Sequence, residues 1–202
     1  MNAATESNDH TWPAGVILAG GKSSRFGCNK ALALYNSRPI ITRVAEVLSE
    51  IFTETLLVTN SPEEYTFLGW PMTGDRVRDS GPLAGIQAAL SHIRSERAFI
   101  VACDMPQLDG EIIRRLCRHP GEWDVILPLS ASGHEPLHAV YRRDILPKVD
   151  HALAQGEKRI GKLLEQLRVE ALSPALLGLN DPDEARRIFT NINYQQDLRK
   201  LP

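Results

Sequence analysis

Three short, largely apolar runs constrain this chain most: Ala14-Gly-Val-Ile-Leu18, Thr55-Leu-Leu-Val-Thr59 and Ala98-Phe-Ile-Val-Ala102. Runs of this length without polar alternation are the mark of strands buried on both faces. Each gives way to a polar or turn-forming segment, and apolar residues at helical spacing come next. Ile40, Ile41, Val44, Val47, Leu48 and Ile51 make one such face, and Leu83, Ile86, Leu90 and Ile93 another. Strand and helix in alternation predict βαβ units and therefore a mostly parallel sheet. The second half has a looser rhythm. Val125-Ile-Leu127 reads as a fourth strand, and His134 to Tyr141 as a turn leading into a fifth. Helices are expected over Ile112–Leu116, Ile145–Leu153 and Gly161–Leu167, and an antiparallel edge is expected here. Phe189 to Asn193 reads as extended, before a C-terminal helix from Tyr194.

With 202 residues, 43% of them hydrophobic and a net charge of only −2, the chain has enough apolar matter to fold, and disorder is excluded as its main state. The same charge balance leaves no basic excess for gripping a nucleic-acid backbone. Residues 1–13 read as a polar tail and 14–202 as one domain, with a nucleotide half over about 14–107 and a substrate half over about 108–202. Cys28, Cys103 and Cys117 are an odd number without a CxxC pair, which points to a reducing compartment. No apolar run is long enough to span a bilayer and no signal-peptide core is present, so a cytoplasmic protein is expected.

In an open parallel sheet, ligands bind beyond the C-terminal strand ends. Three candidate features fall at such ends: the loop Ala19-Gly20-Gly21-Lys-Ser-Ser-Arg25-Phe-Gly27 with Lys30 beyond it, then Asn60, then Asp104. The two glycines let backbone N–H groups approach an anion, and Ser23, Ser24, Arg25 and Lys30 add donors and charge, so the loop suits a polyphosphate. It is neither a Walker loop, since Val16 stands where that pattern needs glycine, nor a GxGxxG loop. A plain βα turn is the alternative. Asp104 can hold Mg²⁺ on nucleotide phosphates, or it can be a turn-forming Asp bonded to its own backbone. Asn60 can read a base edge or cap the segment at Ser61, where Ser61-Pro-Glu-Glu64 has the form of a capping box. Asp75 and Asp79 precede Gly81-Pro-Leu-Ala-Gly85, whose glycines allow close approach to a ligand. His134, Glu135 and His138 lack a third close ligand or a cysteine and are read as a turn and strand face rather than a metal site. Trp12, Trp70 and Trp123 are read as packing residues.

Leu18-Ala-Gly-Gly-Lys-Ser-Ser-Arg-Phe-Gly27 with Lys30 resembles the LAGGxSxRMGxDK signature of nucleotidyltransferases. Gly81-Pro-Leu-Ala-Gly-Ile86, Cys103-Asp-Met-Pro106, Glu135-Pro-Leu-His-Ala-Val-Tyr141, Gly156-Glu-Lys-Arg159 and Phe189-Thr-Asn-Ile-Asn193 come after it in order. The set resembles the molybdenum cofactor guanylyltransferase (MobA) family over about residues 16–197. The resemblance implies a three-layer, Rossmann-like nucleotidyltransferase fold. It implies transfer of GMP from GTP to molybdenum-molybdopterin with release of pyrophosphate, with Mg²⁺ as cofactor and molybdoenzyme-maturation proteins as further partners. By position, Leu18, Ala19, Gly20 and Gly21 line the nucleotide, Lys30 and Arg25 meet phosphate, and Asn60 and Asp75 contact the nucleotide, with Asp79 competing for the last role. Asp104 binds the metal, and Arg159, Asn191 and Asn193 face the pterin. Asn29 departs from the family's usual Asp, Phe26 from its Met, and Cys28 fills a variable position. Asn29 can accept a hydrogen bond but carries no charge to pair with Lys30, so slower catalysis or another substrate is expected. A cytidylyl or sugar-phosphate transferase and a non-catalytic nucleotide- or cofactor-binding module are the alternatives.

Overall fold

The computed structural model describes residues 12–20, 29–77, 80–192 and 197. Ten strands and six α-helices alternate among them. The order is β1 (Ala14–Leu18), β2 (Leu34–Tyr35), β3 (Arg38–Pro39), α1 (Ile40–Ser49), β4 (Thr55–Val58), β5 (Met72–Thr73), α2 (Gly81–His92) and β6 (Arg97–Ala102). Then come α3 (Gly110–Arg118), β7 (Val125–Ser130), β8 (Gly133–His134), β9 (His138–Arg142), α4 (Leu146–Ala154), α5 (Ile160–Leu164), β10 (Val169–Leu172) and α6 (Pro182–Ile188).

Eight strands form one sheet in the order β10-β7-β9-β6-β1-β4-β5, with β8 paired to β7. The β1, β4, β5 and β6 strands are mutually parallel, as are β7 and β10. Antiparallel pairing enters through β9, which lies between β6 and β7, and through the short β8. All five residues of β1 are buried, as its central place and unbroken apolar run require.

Side chains alternate between two cores. Ile17, Leu57, Phe99, Val101, Ile126 and Val140 face α1, α3 and α6, through residues such as Val44, Ile113 and Ile188. Val16, Leu18, Leu56, Val58, Ile100 and Tyr141 face α2, α4 and α5, through Ile86, Val149 and Leu163. Period-two strands with a helix layer on each face make a three-layer α/β fold. Gly85 sets the spacing of α2 against β1: a methyl group there would lie 3.2 Å from Leu18 Cδ1. That glycine serves helix–sheet packing and is not open to a ligand.

Several local expectations change. Trp12 and Pro13, placed above in the tail, are packed: the Trp12 indole N–H donates to the Ile51 carbonyl at 3.1 Å and its ring lies 6.5 Å from that of Phe52. Residues 1–11 and most of the expected C-terminal helix lie outside the described residues. The segment Pro62–Leu68 forms a 3-10 helix, but Ser61 makes no side-chain cap bond. The Ser61 N–H is taken by Thr59 Oγ1 at 3.2 Å, so the box has no donor left for Glu64 to satisfy. The sequence reading also missed β10 and α6, although Asp181 accepts from the Asp183 N–H and Pro182 sits at the first helical position, both ordinary helix-start signals. Among the described residues no helix is long and apolar enough to cross a membrane.

Candidate active site at the strand tips

The register aligns Leu18 with Val58 on one side and with Ala102 on the other. The C-terminal ends of β4, β1 and β6 are therefore level and adjacent, and the segments that leave these three strands must share one rim. The Ala19 N–H donates to the Val58 carbonyl at 2.8 Å and the Cys103 N–H to the Leu18 carbonyl at 3.1 Å, which carries the alignment past the strands.

Lys30 and Asp104 meet at this rim in an ion pair between Nζ and Oδ2. Lys30 opens a 3-10 turn, Lys30–Leu32, that Asn29 caps with its side-chain oxygen. Asp104 sits in the turn after β6 and is 8% exposed, while its Oδ1 is buried and has no hydrogen-bond partner among the described residues. A turn-forming Asp bonded to its own backbone would use that oxygen, so this alternative loses its basis. An ionised carboxylate accepts only, and leaving an oxygen buried and unmatched costs about 1–3 kcal/mol unless a cation or donor arrives. The donor set fits a hard divalent cation that takes one or two carboxylate oxygens and draws its remaining ligands from phosphate and water.

On the β4 side, Asn60 and Asp75 clasp each other. The Asn60 amide donates to Asp75 Oδ2 at 2.9 Å and its oxygen accepts from the Asp75 N–H at 2.9 Å. Asn60 therefore fixes Asp75 and does not cap at Ser61. A methyl group on Gly20 would lie 3.9 Å from Asp75 Oδ2, so the pair borders the loop after β1. Arg25, Gly21 and Asp79 lie outside the described residues, as do Ser23, Ser24, Phe26 and Cys28.

Two parts of the second half reach the same rim. Gly81 takes φ +66 at the start of α2, a conformation that favours glycine, and its Cα side faces the Lys158 carbonyl at 3.6 Å from an added methyl group. This brings the 156–159 turn to the helix start. Arg159 there is exposed and pairs with Glu157 at 3.0 Å. The Glu157 carboxyl is held at about 2 by hydrogen bonds from that guanidinium. Farther on, the Ile192 N–H donates to the Asp104 carbonyl at 2.9 Å, which sets exposed Asn191 beside the Asp104 turn. Asn193 lies outside the described residues.

Two reactive residue types nearby are inert. Burial pushes the Cys103 thiol up to about 12, with the Asp104 charge adding to it, so it is neither a thiolate nucleophile nor a thiolate ligand. His138 is wholly buried with its ring at 5.1 Å from Phe99 and 5.3 Å from Phe189, and burial drops its pKa to about 3. It is a core residue. Sequence reasoning missed Tyr65 and Glu64, which hold Asn29; a contact between segments 35 residues apart leaves no local signal.

Comparison with known proteins identifies the family. Residues 15–171 match the family described as MobA-like NTP transferase domain. A probable molybdenum cofactor guanylyltransferase of Carboxydothermus hydrogenoformans is 38% identical over 188 residues, covering 92% of this chain and 93% of that protein. The molybdenum cofactor guanylyltransferase of Desulfosudis oleivorans is 37% identical over 190 residues, covering 92% of each. The crystal structure of molybdopterin-guanine dinucleotide biosynthesis protein A from Archaeoglobus fulgidus superposes with a TM-score of 0.79 at 26% identity, covering 93% of this chain and 95% of that one. With a family match over residues 15–171 and relatives 37–38% identical across 92% of its length, the chain belongs to the MobA-like NTP transferases.

Proposed function

We propose that this protein transfers the GMP part of GTP to molybdenum-molybdopterin, forming the guanine dinucleotide and releasing pyrophosphate. The observation that carries the reading is Asp104: one oxygen paired to Lys30, the other buried and unpartnered, at the level tips of three parallel strands. The names of the relatives supply the substrates.

A phosphate oxygen of the pterin substrate attacks the α-phosphorus of GTP. The new P–O bond forms as the bond from the α-phosphorus to the bridging oxygen breaks, and pyrophosphate departs with that electron pair. The nucleophile is already an anion, so no strong general base is required; the barrier lies in bringing anions together and in stabilising charge on the leaving group. Lys30 and Arg25 supply positive charge to the phosphates, and the Gly20-Gly21 backbone supplies N–H donors. Asp104 would hold Mg²⁺, which would neutralise charge on the phosphate oxygens. Lys30 pairs with the Asp104 carboxylate and so carries its positive charge at the same rim. Leu18 and Ala19 line the nucleotide, the Asn60–Asp75 clasp contacts the nucleoside, and Arg159, Asn191 and Asn193 face the pterin.

The test is pyrophosphate release from GTP and from CTP, with molybdenum-molybdopterin and Mg²⁺ supplied. Turnover with GTP at least about tenfold above CTP, a difference of about 1.4 kcal/mol, is expected. Preference for CTP would make the protein a cytidylyltransferase. Binding of GTP without pyrophosphate release would make it a carrier module.

A further inference from the structure

Among the described residues Asn29 makes three hydrogen bonds. Its Oδ1 accepts from the Ala31 N–H at 3.2 Å, capping the turn that carries Lys30. Its Nδ2 donates to Glu64 Oε2 at 2.7 Å and to the Tyr65 hydroxyl at 2.8 Å. The assignment of oxygen and nitrogen is forced, because a backbone N–H can only donate and a carboxylate can only accept. Both amide hydrogens are used. Tyr65 is 1% exposed and shares a core with Ala31 and the α1 residues Ile41 and Val44, so the far end of the bridge is anchored in packed hydrocarbon. The near end is one residue from Lys30, whose Nζ meets Asp104.

We propose that Asn29 is a positioning residue for Lys30: it ties the Lys30–Leu32 turn to the Pro62–Leu68 helix through Glu64 and Tyr65, and asparagine stands there because Glu64 already supplies the negative partner. An aspartate at this position would set two carboxylates at hydrogen-bond distance, with no proton between them near neutral pH, and would push the turn away from its anchor. The missing charge beside Lys30 is therefore not a lost catalytic feature. The Lys30 ammonium has Asp104 as an ionic partner. This rests on the reading of Lys30 as a phosphate contact, so its effect belongs in kcat, where strengthened phosphate contacts are felt, more than in the KM for GTP.

The test is steady-state pyrophosphate release by the full chain carrying Asn29→Asp, Glu64→Gln or both, alone and in a Lys30→Met background. Asn29→Asp is expected to lower kcat about fivefold with KM for GTP within about twofold, the scale of a lost coupling between neighbouring residues. Glu64→Gln alone is expected near wild type, since its amide oxygen still accepts from Asn29. In the double variant the bridge is rebuilt with its roles exchanged, the introduced amide donating to the introduced carboxylate, and kcat recovers to within about twofold. With Lys30→Met, which itself lowers kcat, Asn29→Asp adds less than about twofold. If Lys30→Met leaves kcat unchanged, the role given to Lys30 fails. If Lys30→Met lowers kcat but Asn29→Asp does not, or lowers only the thermal midpoint, or is not rescued by Glu64→Gln, the positioning role alone is overturned.

Discussion

Asp104 and His138 lie close along paired segments: His138 pairs with Val101 of β6, and the same strand runs on into the Asp104 turn. Each carries buried polar atoms without a partner, Oδ1 of Asp104 and both ring nitrogens of His138. Their surroundings differ. Asp104 stands at the end of the sheet with a lysine on its other oxygen, so its charge is matched there. His138 stands between Phe99 and Phe189, where burial outweighs the opposing pull of the Asp109 charge, and the ring is kept neutral. An unmatched polar atom therefore points to a ligand only where the fold also supports charge and leaves the group at a strand tip. In hydrocarbon the same feature is a cost that packing absorbs.

The largest effect that would break this contrast belongs to Asp104. Asp104→Asn keeps the shape of the side chain but removes the charge and gives Lys30 a neutral neighbour. Pyrophosphate release is expected to fall by about 10³-fold or more, the scale of a lost metal or transition-state charge contact. The thermal midpoint should change little, since the partnered Lys30 is 22% exposed and can be rehydrated. Activity within tenfold of wild type would remove Asp104 from the chemistry.

His138 should show itself in stability instead. Its folded pKa lies near 3, against an ordinary 6.5, because burial outweighs the opposing influence of the Asp109 charge. Below pH 6.5 the unfolded chain takes up a proton on this imidazole that the folded protein refuses. Stability therefore falls as pH falls, by about 1.4 kcal/mol per pH unit from about 6.5 toward about 3. Between pH 6.5 and 5 the protein should lose up to about 2 kcal/mol by this route. Glu135, whose carboxyl burial raises above the usual carboxylate range, pulls the opposite way as it takes up its proton, and Asp124 enters only at low pH. Burial alone would raise Asp124, but hydrogen bonds from Arg168 and Lys148 hold it near 2. Urea midpoints measured at pH 6.5 and 5 should converge in His138→Leu. An unchanged slope in that variant would show that the ring is not the group responsible.

The contrast also marks what the sequence could and could not tell. Central strands were readable because burial on both faces leaves an unbroken apolar run, as in Ala14–Leu18 and in residues 98–102. The tip of each such strand located Leu18, Asn60 and Asp104, and pairing register then brought them together. Strand β10 was not readable: Val169-Glu-Ala-Leu172 is an edge strand with two exposed residues and no run to notice. Side-chain partnerships across long separations were not readable either. Nothing near Ser61 announces that Glu64 leaves the capping box for Asn29, and nothing near Asn60 says that it holds Asp75 rather than the segment after it. The glycines of Gly81-Pro-Leu-Ala-Gly85 looked alike in sequence, yet one permits a left-handed φ at the helix start and the other makes room for Leu18.

The smallest effect tests the remaining strand tip. Asn60 and Asp75 exchange two hydrogen bonds at an exposed rim, so water can replace either partner and little stability is at stake. On the function proposed above, Asn60→Ala removes the orientation of Asp75 toward the nucleoside. That contact is made equally in the bound and transition states, because the nucleoside is remote from the breaking P–O bond. The loss should then appear as a KM for GTP raised about fivefold, or about 1 kcal/mol, with kcat nearly unchanged. Asp104→Asn should show the reverse division. A fall in kcat from Asn60→Ala comparable to that from Asp104→Asn would mean that the β4 tip acts on the phosphates, and the division of the rim into a nucleoside side and a phosphate side would have to be redrawn.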